Sequence, residues 1–269
     1  MPPRLRVACV QISAGADPEK NLAIVREKIK EALKKGAKLI ALPENFCFRG
    51  ASEFLSTLAG KITPAVITEF KTLARRHKTA FLLGSLIERG PRGKFFNTSY
   101  LISENGKIAA KYRKIHLFDV SLKNVKVRES KYLARGSEIV TAKVCGIQTG
   151  LSICYDLRFS ELYRSLSAKG ACLIFVPANF TETTGRAHWE VLLRARAIEN
   201  QAFVVAPAQS GKNPESGLAS FGCSLIVDPW GSVLARGSRD GVEVVAADMD
   251  FKILEKIRRE LPALKHRRL

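Results

Sequence analysis

The chain has 269 residues, of which 46% are hydrophobic and 26% are charged. This composition excludes collagen-like, disordered and disulfide-scaffold proteins, and the length favours one domain, residues 1–269, over two domains. Lys and Arg number 44 against 25 Asp and Glu, a formal net charge of +19 that favours anionic partners. The basic residues are nevertheless scattered, apart from a short tail at 265–268, so we expect no nucleic-acid partner.

The chain carries no pattern typical of a membrane or secreted protein. No apolar run approaches the roughly 18 residues that a membrane span needs, and the first residues lead into a predicted strand without an apolar leader. We therefore predict a cytoplasmic protein with no membrane partner.

The first part of the chain alternates strands with helices. The helix that begins at Asp17 and Pro18 has apolar residues on one face at helical spacing, and Gly36 ends it. The second strand is apolar throughout, as expected of a strand covered on both faces. Strands are predicted at 5–11, 39–42 and 80–85, and a second helix at 64–77.

The rest of the chain mixes hairpins with further strands and helices. Asn105-Gly106 favours a hairpin between 98–103 and 107–112, and a second hairpin is predicted between 138–144 and 147–153. The stretch 115–137 is predicted to be a long irregular loop, a kind of loop that is often functional. Beyond it we predict a helix after Cys154 to about 169, a strand at 173–176, a helix at 188–200, a strand at 203–206 and a terminal meander turning at 228–231. The fold class is α/β, a mixed sheet protein with helices on its faces.

The six cysteines are far apart, and no pair has the spacing of two to four residues that is typical of zinc ligands or redox dithiols. We therefore predict no metal site. Cysteines inside or beside apolar runs usually act as small buried hydrophobic residues, and we assign that role to Cys9, Cys145, Cys172 and Cys223.

Cys154 differs from the other thiols because it lies where a strand meets a turn. Such a turn presents a side chain above the sheet edge and offers N–H groups to a developing oxyanion, although a lone cysteine at a strand end is more often a packing residue. A buried nucleophilic thiol needs a proton acceptor or a neighbouring cation. Among the histidines, only His116 lies in a suggestive loop, so a Cys–His pair is one possibility.

Carboxylates compete with histidine for that role. Glu44 ends an apolar strand, where a buried charge requires a partner, and Lys114 follows the second strand of the predicted hairpin. Taken singly, Glu44 is better explained as a solvated loop residue, and Lys114 as one member of a solvated basic run.

Three segments together resemble the signatures of the nitrilase, or carbon-nitrogen hydrolase, superfamily. These are LPENF at 42–46, YRKIHLFD at 112–119 and LSICYDLRF at 151–159, and they occur in the order of the family. The likeness continues through 184–190, 194–200 and 228–231, and it is closest to the branch that contains ω-amidases and deaminated-glutathione amidases.

The resemblance implies roles for particular residues. Glu44 would be the general base, Cys154 the nucleophile and Lys114 the cation that stabilises the oxyanion, assisted by the backbone N–H of Tyr155. Glu129 matches a second glutamate that orients the site. No metal or organic cofactor is implied, and His116 then has a structural role.

The resemblance leaves the substrate-binding residues open. Arg158 and Arg186 are candidates for binding a substrate carboxylate, although Arg158 is equally suited to a structural or subunit-interface ion pair. Where members of the branch often have proline, this chain has Arg186 between Gly185 and Ala187, so the identity of the substrate is in doubt.

The fold implied by the resemblance is a four-layer αββα sandwich, which in this family commonly pairs as an αββα–αββα dimer. The segments 158–168 and 188–200 are the candidate interface of a homo-oligomer, a dimer or larger. Burial against its own sheet is the alternative use of the apolar residues in 188–200.

The predicted function is an amidase that releases ammonia from a small carboxylate-bearing amide through a cysteine thioester. The favoured substrates are ω-amides such as α-ketoglutaramate or deaminated glutathione. An N-carbamoyl-amine hydrolase or a nitrilase of the same superfamily is the first alternative. A non-catalytic binding protein for an acidic partner is the alternative from another class.

Overall fold

The structure is a computed structural model that describes residues 2–122, 125–213 and 216–268. Its strands are β1 Arg4–Gln11, β2 Leu39–Ala41, β3 Ala80–Arg89, β4 Phe95–Ile102, β5 Ile108–Arg113, β6 Asp119–Leu122, β7 Val125–Arg128, β8 Thr141–Val144, β9 Ile147–Leu151, β10 Leu173–Phe175, β11 Phe203–Ala206, β12 Leu225–Val227, β13 Val233–Arg236 and β14 Glu243–Asp250. Its α-helices are α1 Pro18–Lys34, α2 Leu55–Thr57, α3 Thr63–His77, α4 Ser160–Ala168, α5 Glu182–Asn200, α6 Phe251–Glu260 and α7 Ala263–His266.

The strands form two six-stranded sheets and one separate hairpin. The first sheet has the order β14-β1-β2-β3-β4-β5, the second has the order β13-β12-β11-β10-β9-β8, and β6 pairs with β7 alone. In each large sheet the three strands that follow one another through helical crossovers are parallel, β1-β2-β3 and β9-β10-β11, whereas the outer strands are antiparallel. The predicted mixed sheets and α/β class are confirmed.

The two faces of β1 belong to different parts of the core. Val7 and Cys9 lie in an apolar cluster that also contains Leu173 and other residues of the second sheet. Ala8 and Val10 lie in a second cluster, with the inner residues of α1 and α3. Because side chains alternate along a strand, one face of the first sheet packs towards the second sheet and the other face packs under helices.

The stretch 115–137 contains regular structure, so the prediction of an irregular loop is wrong there. Strands β6 and β7 pair antiparallel, with Val120 opposite Val127. Apolar and polar residues alternate from 119 to 122 and from 125 to 128, which is the sequence pattern of a strand pair. Residues 123 and 124 of this stretch lie outside the described residues.

Two further predictions need correction. Helix α5 begins at Glu182, six residues before the predicted start at 188, because the chain enters the helix directly after Thr181 with an acidic residue in the first turn. The terminal meander is also incomplete, since β14 does not join β13 but pairs antiparallel with β1 in the other sheet. The residue pattern within β14 indicates a strand but does not indicate whether that strand pairs with β13 or with β1.

Within the described ranges, the helices are too short or too polar to cross a bilayer. The cytoplasmic location stays a prediction. Of the cysteines assigned to the core, Cys9 and Cys172 are buried, whereas Cys145 and Cys223 are partly exposed.

Candidate active site

The predicted catalytic residues all follow the ends of strands. Glu44 lies just after β2, Lys114 directly after β5, and Cys154 just after β9. Strand β5 runs in the same direction as β2, because two antiparallel steps separate it from β3. The carboxyl ends of strands that run in the same direction meet at one edge of a sheet, which is where ligands bind in open α/β sheets.

Cys154 occupies a tight turn between β9 and α4. Its φ angle is 49°, in the left-handed region that non-glycine residues rarely adopt, and its N–H donates to Pro177 O at 2.9 Å. A turn of 3₁₀-helix begins at Cys154, and the Asp156 carboxylate accepts the Ile153 N–H at 2.9 Å on the other side of the cysteine. This backbone conformation costs about 1–3 kcal/mol and persists only because the surrounding hydrogen bonds hold it.

The Asp156 carboxylate connects the Cys154 turn to the segment that carries Lys114. It is completely buried and accepts hydrogen bonds from the Tyr112 hydroxyl at 2.7 Å and from the His116 N–H at 3.0 Å. The His116 ring lies with Nδ1 2.7 Å from Asp156 Oδ1 and stacks on Phe159 with ring centroids 3.6 Å apart. His116 therefore orders this loop rather than pairing with the thiol.

Lys114 is the positive centre of the site. Its side chain is 2% exposed, and Nζ donates to Glu44 Oε1 and to Glu129 Oε2, both at 2.9 Å. Burial on its own would lower the pKa of Lys114, but the attraction of the two carboxylates is larger and holds that pKa well above its ordinary value. Lys114 is thus a permanent cation between two glutamates.

Backbone and amide groups hold the two carboxylates in place. The Asn97 side-chain amide donates to Glu44 Oε1 at 2.9 Å and to Glu129 Oε1 at 3.1 Å. The Asn179 N–H donates to Glu44 Oε2 at 2.8 Å, and the Phe118 N–H donates to Glu129 Oε2 at 2.7 Å. Each carboxylate therefore has at least three donors, which is what a buried anion requires.

The thiol of Cys154 lies beside this cluster. It is buried, and the Glu44 carboxylate and the Lys114 ammonium are both close enough to interact with it electrostatically. Burial and the negative charge of Glu44 raise the pKa of Cys154 well above its ordinary value, although Lys114 opposes them. The resting form is therefore the neutral thiol, with the Glu44 carboxylate beside it in the same cavity wall.

A cavity of about 460 Å³, here called the catalytic cavity, opens onto the cluster. Glu44, Lys114, Glu129 and Cys154 all contribute to its wall. The hairpin β6–β7 and the residues after it add Lys126, Arg128 and Lys131. The cavity is therefore a cleft of small-molecule size with basic groups at its wall, and its depth holds a thiol, a carboxylate and an ammonium group.

Of the predicted substrate-binding residues, Tyr155 and Arg158 lie beside Cys154, whereas Arg186 does not. Tyr155 and Arg158 line a recess of about 10 Å³ beside Cys154, where the Arg158 guanidinium lies 5.2 Å from the Phe180 ring centroid. Arg186 lies 2.6 Å from Glu182 in an exposed ion pair on α5 and is not among the described residues that line these cavities. The replacement of proline by Arg186 therefore adds a surface ion pair within the helix.

Three residues that hold the predicted catalytic groups in place were not predicted from the sequence: Asn97, Asn179 and Asp156. Each carried a signal, because Asn97 interrupts an otherwise apolar strand start and Asn179 follows a buried strand, as Glu44 does. Asp156 lies only two residues after the cysteine. It is fully buried, and a buried carboxylate requires hydrogen-bond donors around it.

The comparisons with known proteins agree with this geometry. The model of the family "Carbon-nitrogen hydrolase" matches residues 6–259. A deaminated glutathione amidase of Synechocystis is 40% identical over 267 residues, which cover 97% of this chain and 97% of the relative. An omega-amidase of Mus musculus is 34% identical over 264 residues, with 98% of this chain and 95% of the relative covered.

A solved structure extends the likeness to three dimensions. It is a glutamate-to-glutamine mutant of the amidase from a Nesterenkonia species, showing covalent addition of the acetamide moiety of fluoroacetamide at the active-site cysteine. The TM-score is 0.81 at 27% identity, and the match covers 98% of this chain and 94% of that chain. Family model, relatives and fold together show that the chain belongs to the carbon-nitrogen hydrolase family.

Proposed function

We propose that this protein is an amidase that hydrolyses small carboxylate-bearing ω-amides through a thioester on Cys154. One observation carries the proposal: the buried Cys154 thiol shares the wall of one cavity with Glu44 and Lys114, whose carboxylate and ammonium groups are 2.9 Å apart. Relatives named deaminated glutathione amidase and omega-amidase support the reaction class.

In the proposed first step, the Cys154 sulfur attacks the amide carbon while Glu44 takes the thiol proton. Because the pKa of Cys154 is raised, a free thiolate is scarce, and proton transfer to the neighbouring Glu44 carboxylate accompanies the attack. The Lys114 ammonium and the Tyr155 N–H stabilise the oxyanion, and one such donor is typically worth about 3 kcal/mol of barrier.

In the second half of the reaction, Glu44 passes its proton to the leaving nitrogen and ammonia departs. A thioester remains on Cys154, and a water activated by Glu44 hydrolyses it to the free acid. Glu44 thus handles a proton in both halves, and its hydrogen bonds from Asn97 and the Asn179 N–H keep it oriented throughout.

We propose that Glu129 positions Lys114 and does not itself handle a proton. Its Oε2 accepts both the Lys114 ammonium and the Phe118 N–H, and its Oε1 accepts the Asn97 amide. Together with Glu44, Glu129 gives the three-residue cluster a formal charge of −1, with one carboxylate on either side of the Lys114 ammonium.

The basic wall of the catalytic cavity supports an anionic substrate. Lys126, Arg128 and Lys131 line it, and the chain as a whole carries a net charge of +19. A field of one sign in a cleft attracts ligands of the opposite sign. Arg158, beside the Cys154 recess, is a further candidate for contact with the substrate.

For the architecture, we propose a single domain with the four-layer αββα arrangement, paired as an αββα–αββα dimer through α4 and α5. Apolar side chains exposed on or next to α5 support an interface: Ile198 is 49% exposed and Trp230 is 63% exposed. Light scattering should therefore give twice the chain mass, and Ile198→Glu should shift it towards the monomer. A wild-type monomer would refute the pairing.

The test of the activity is ammonia release from a panel of amides. We expect release from α-ketoglutaramate or deaminated glutathione, and no release by Cys154→Ser. Release of carbon dioxide together with ammonia would instead identify an N-carbamoyl-amine hydrolase, and turnover of nitriles would identify a nitrilase. Unimpaired activity of Cys154→Ser would refute the proposal.

A further inference from the structure

A second cavity, here called the side cavity, adjoins the catalytic cavity. Its volume is about 480 Å³, and the two cavities share Asn45, Glu129, Tyr132 and Asn179 in their walls. Arg49 lines the side cavity only. A substrate whose amide lies against the thiol therefore has room to extend past the shared residues towards Arg49.

Arg49 is a buried cation with incomplete compensation. Arg49 is only 4% exposed. Its Nη1 donates to two neutral oxygens, Gln209 Oε1 at 3.3 Å and Ser210 O at 3.2 Å. Nε is buried and has no acceptor within the described part of the chain. Burial lowers the pKa of Arg49 to about 10, because it outweighs the attraction of the Glu44 charge. A buried charge that lacks a counter-charge is costly, so it calls for a ligand.

The same cavity wall carries a second unsatisfied group. Asn97 Oδ1 is buried and has no donor among the residues that the structure describes, although the amide nitrogen of Asn97 holds both Glu44 and Glu129. Two buried atoms of this wall, Arg49 Nε and Asn97 Oδ1, therefore lack partners among the described residues. The Arg49 guanidinium favours an acceptor such as a carboxylate and Asn97 Oδ1 favours an N–H or O–H donor, so the wall suits a polar ligand better than an apolar one.

We propose that Arg49 binds the carboxylate at the end of the substrate remote from the scissile amide, and so selects anionic ω-amides over neutral amides of equal length. The inference rests on the proposed amidase function. A guanidinium group matches a carboxylate with parallel N–H donors, and in a buried site such a contact is strong because water does not compete.

Other cations near the site are less suited to this role. The Arg158 guanidinium lies over two aromatic rings, those of Tyr155 and Phe180, and 3.2 Å from the His188 ring nitrogen. Lys126 on the hairpin is exposed and therefore well hydrated, so its contact with a carboxylate gains little. If Arg158 bound the substrate carboxylate instead, Arg158→Met and not Arg49→Met would change the preference for the charged amide.

The test compares charged and neutral amides of matched length, glutaramate against valeramide, in the same protein preparation. For Arg49→Met we expect the ratio of kcat/KM values to fall about 10- to 100-fold, mainly through KM for glutaramate, as is typical when a hydrogen bond to a charged group is lost. The ratio does not depend on the folded fraction, so partial unfolding of the variant does not disturb it. Arg49→Lys should retain part of the preference, and the exposed Arg92→Met should leave the ratio unchanged.

Binding of glutaramate to Cys154→Ala, measured by calorimetry, decides the question without turnover. Adding Arg49→Met should weaken it by a similar factor and leave valeramide binding unchanged. An equal effect of Arg49→Met on both ligands, or a charge-selective effect in Arg158→Met instead, overturns the inference. If wild-type protein releases no ammonia while this binding difference persists, the amidase proposal fails and the carboxylate site stands.

Discussion

Lys114 and Glu44 form a contact of 2.9 Å between two side chains that are 2% and 3% exposed. The two residues are 70 positions apart and come from loops after different strands. Because neither charge reaches water, each depends on the other, and Lys114 is also paired with Glu129. This dependence leads to a prediction about both stability and activity.

We expect Lys114→Met to abolish amide hydrolysis and to lower the free energy of unfolding by about 3–5 kcal/mol, because it leaves two adjacent buried carboxylates without their cation. Urea unfolding measures the second effect. Adding Glu129→Gln to Lys114→Met should restore part of the stability but none of the activity. A Lys114→Met variant as stable as wild type would contradict the ion-pair account.

The pH dependence of this contribution has a definite sign. The folded pKa of Lys114 is raised, so its stabilisation is complete below the unfolded value of about 10.4 and is lost only as the pH rises through the folded value. The stability difference between wild type and Lys114→Met should therefore stay constant from neutral pH to about pH 10. A decrease already at pH 8 would indicate a different cause.

Glu44→Gln should separate the two effects of the carboxylate on Cys154. Amide hydrolysis should fall by about 10²–10⁴-fold, because the proton acceptor is lost. Alkylation of Cys154 by iodoacetamide should shift to lower pH, because Glu44 is one of the causes that raise the pKa of the thiol. Mass spectrometry follows the labelling, with the partly exposed Cys223 as an internal control whose pH dependence should not move. An unchanged curve for Cys154 would show that burial alone sets its pKa.

Tyr112→Phe tests the Asp156 connection between the Lys114 segment and the Cys154 turn. The variant removes a 2.7 Å hydrogen bond to a fully buried carboxylate, so we expect a loss of about 1–3 kcal/mol of stability together with a lower kcat. Tyr163→Phe is the matched control, because its hydroxyl lies 2.8 Å from the neutral Ser152 hydroxyl. It should cost less stability than Tyr112→Phe. Equal costs would argue against a special role for Asp156.

The lowered pKa of Glu88 leads to a prediction about the stability of the protein in acid. Burial would raise the pKa of Glu88, but hydrogen bonds from Arg113, Lys111 and Thr98 outweigh it and lower that pKa from 4.5 to about 2. A depressed carboxylate pKa stabilises the fold above 4.5, and this stabilisation is lost as the pH falls towards 2. Wild type should lose up to about 3 kcal/mol more than Glu88→Gln over this interval, measured by urea unfolding. Parallel curves for the two proteins would refute the assignment.

Much of the fold was predictable because its signals are local. The strand at 39–42 is apolar throughout and the helix from Pro18 carries its apolar face at helical spacing, so both were predicted close to their observed bounds, whereas the strand predicted at 80–85 continues to Arg89. The start of α5 and the hairpin β6–β7 were missed. Both lie beside the motif segments, where the residue types indicate a catalytic site as readily as a helix start or a strand pair.

The sequence by itself determined the family, most of the strands and helices, and Glu44, Lys114, Cys154 and Glu129 as candidate residues, since an ordered pattern of residue types can be recognised without coordinates. Only the tertiary structure decided that Asn97, Asn179 and Asp156 hold these groups, that β14 crosses to the first sheet, and that Arg49 faces a second cavity. Each of these depends on which distant segments meet in a buried space, and burial is what turns an ordinary polar side chain into one that requires a specific partner.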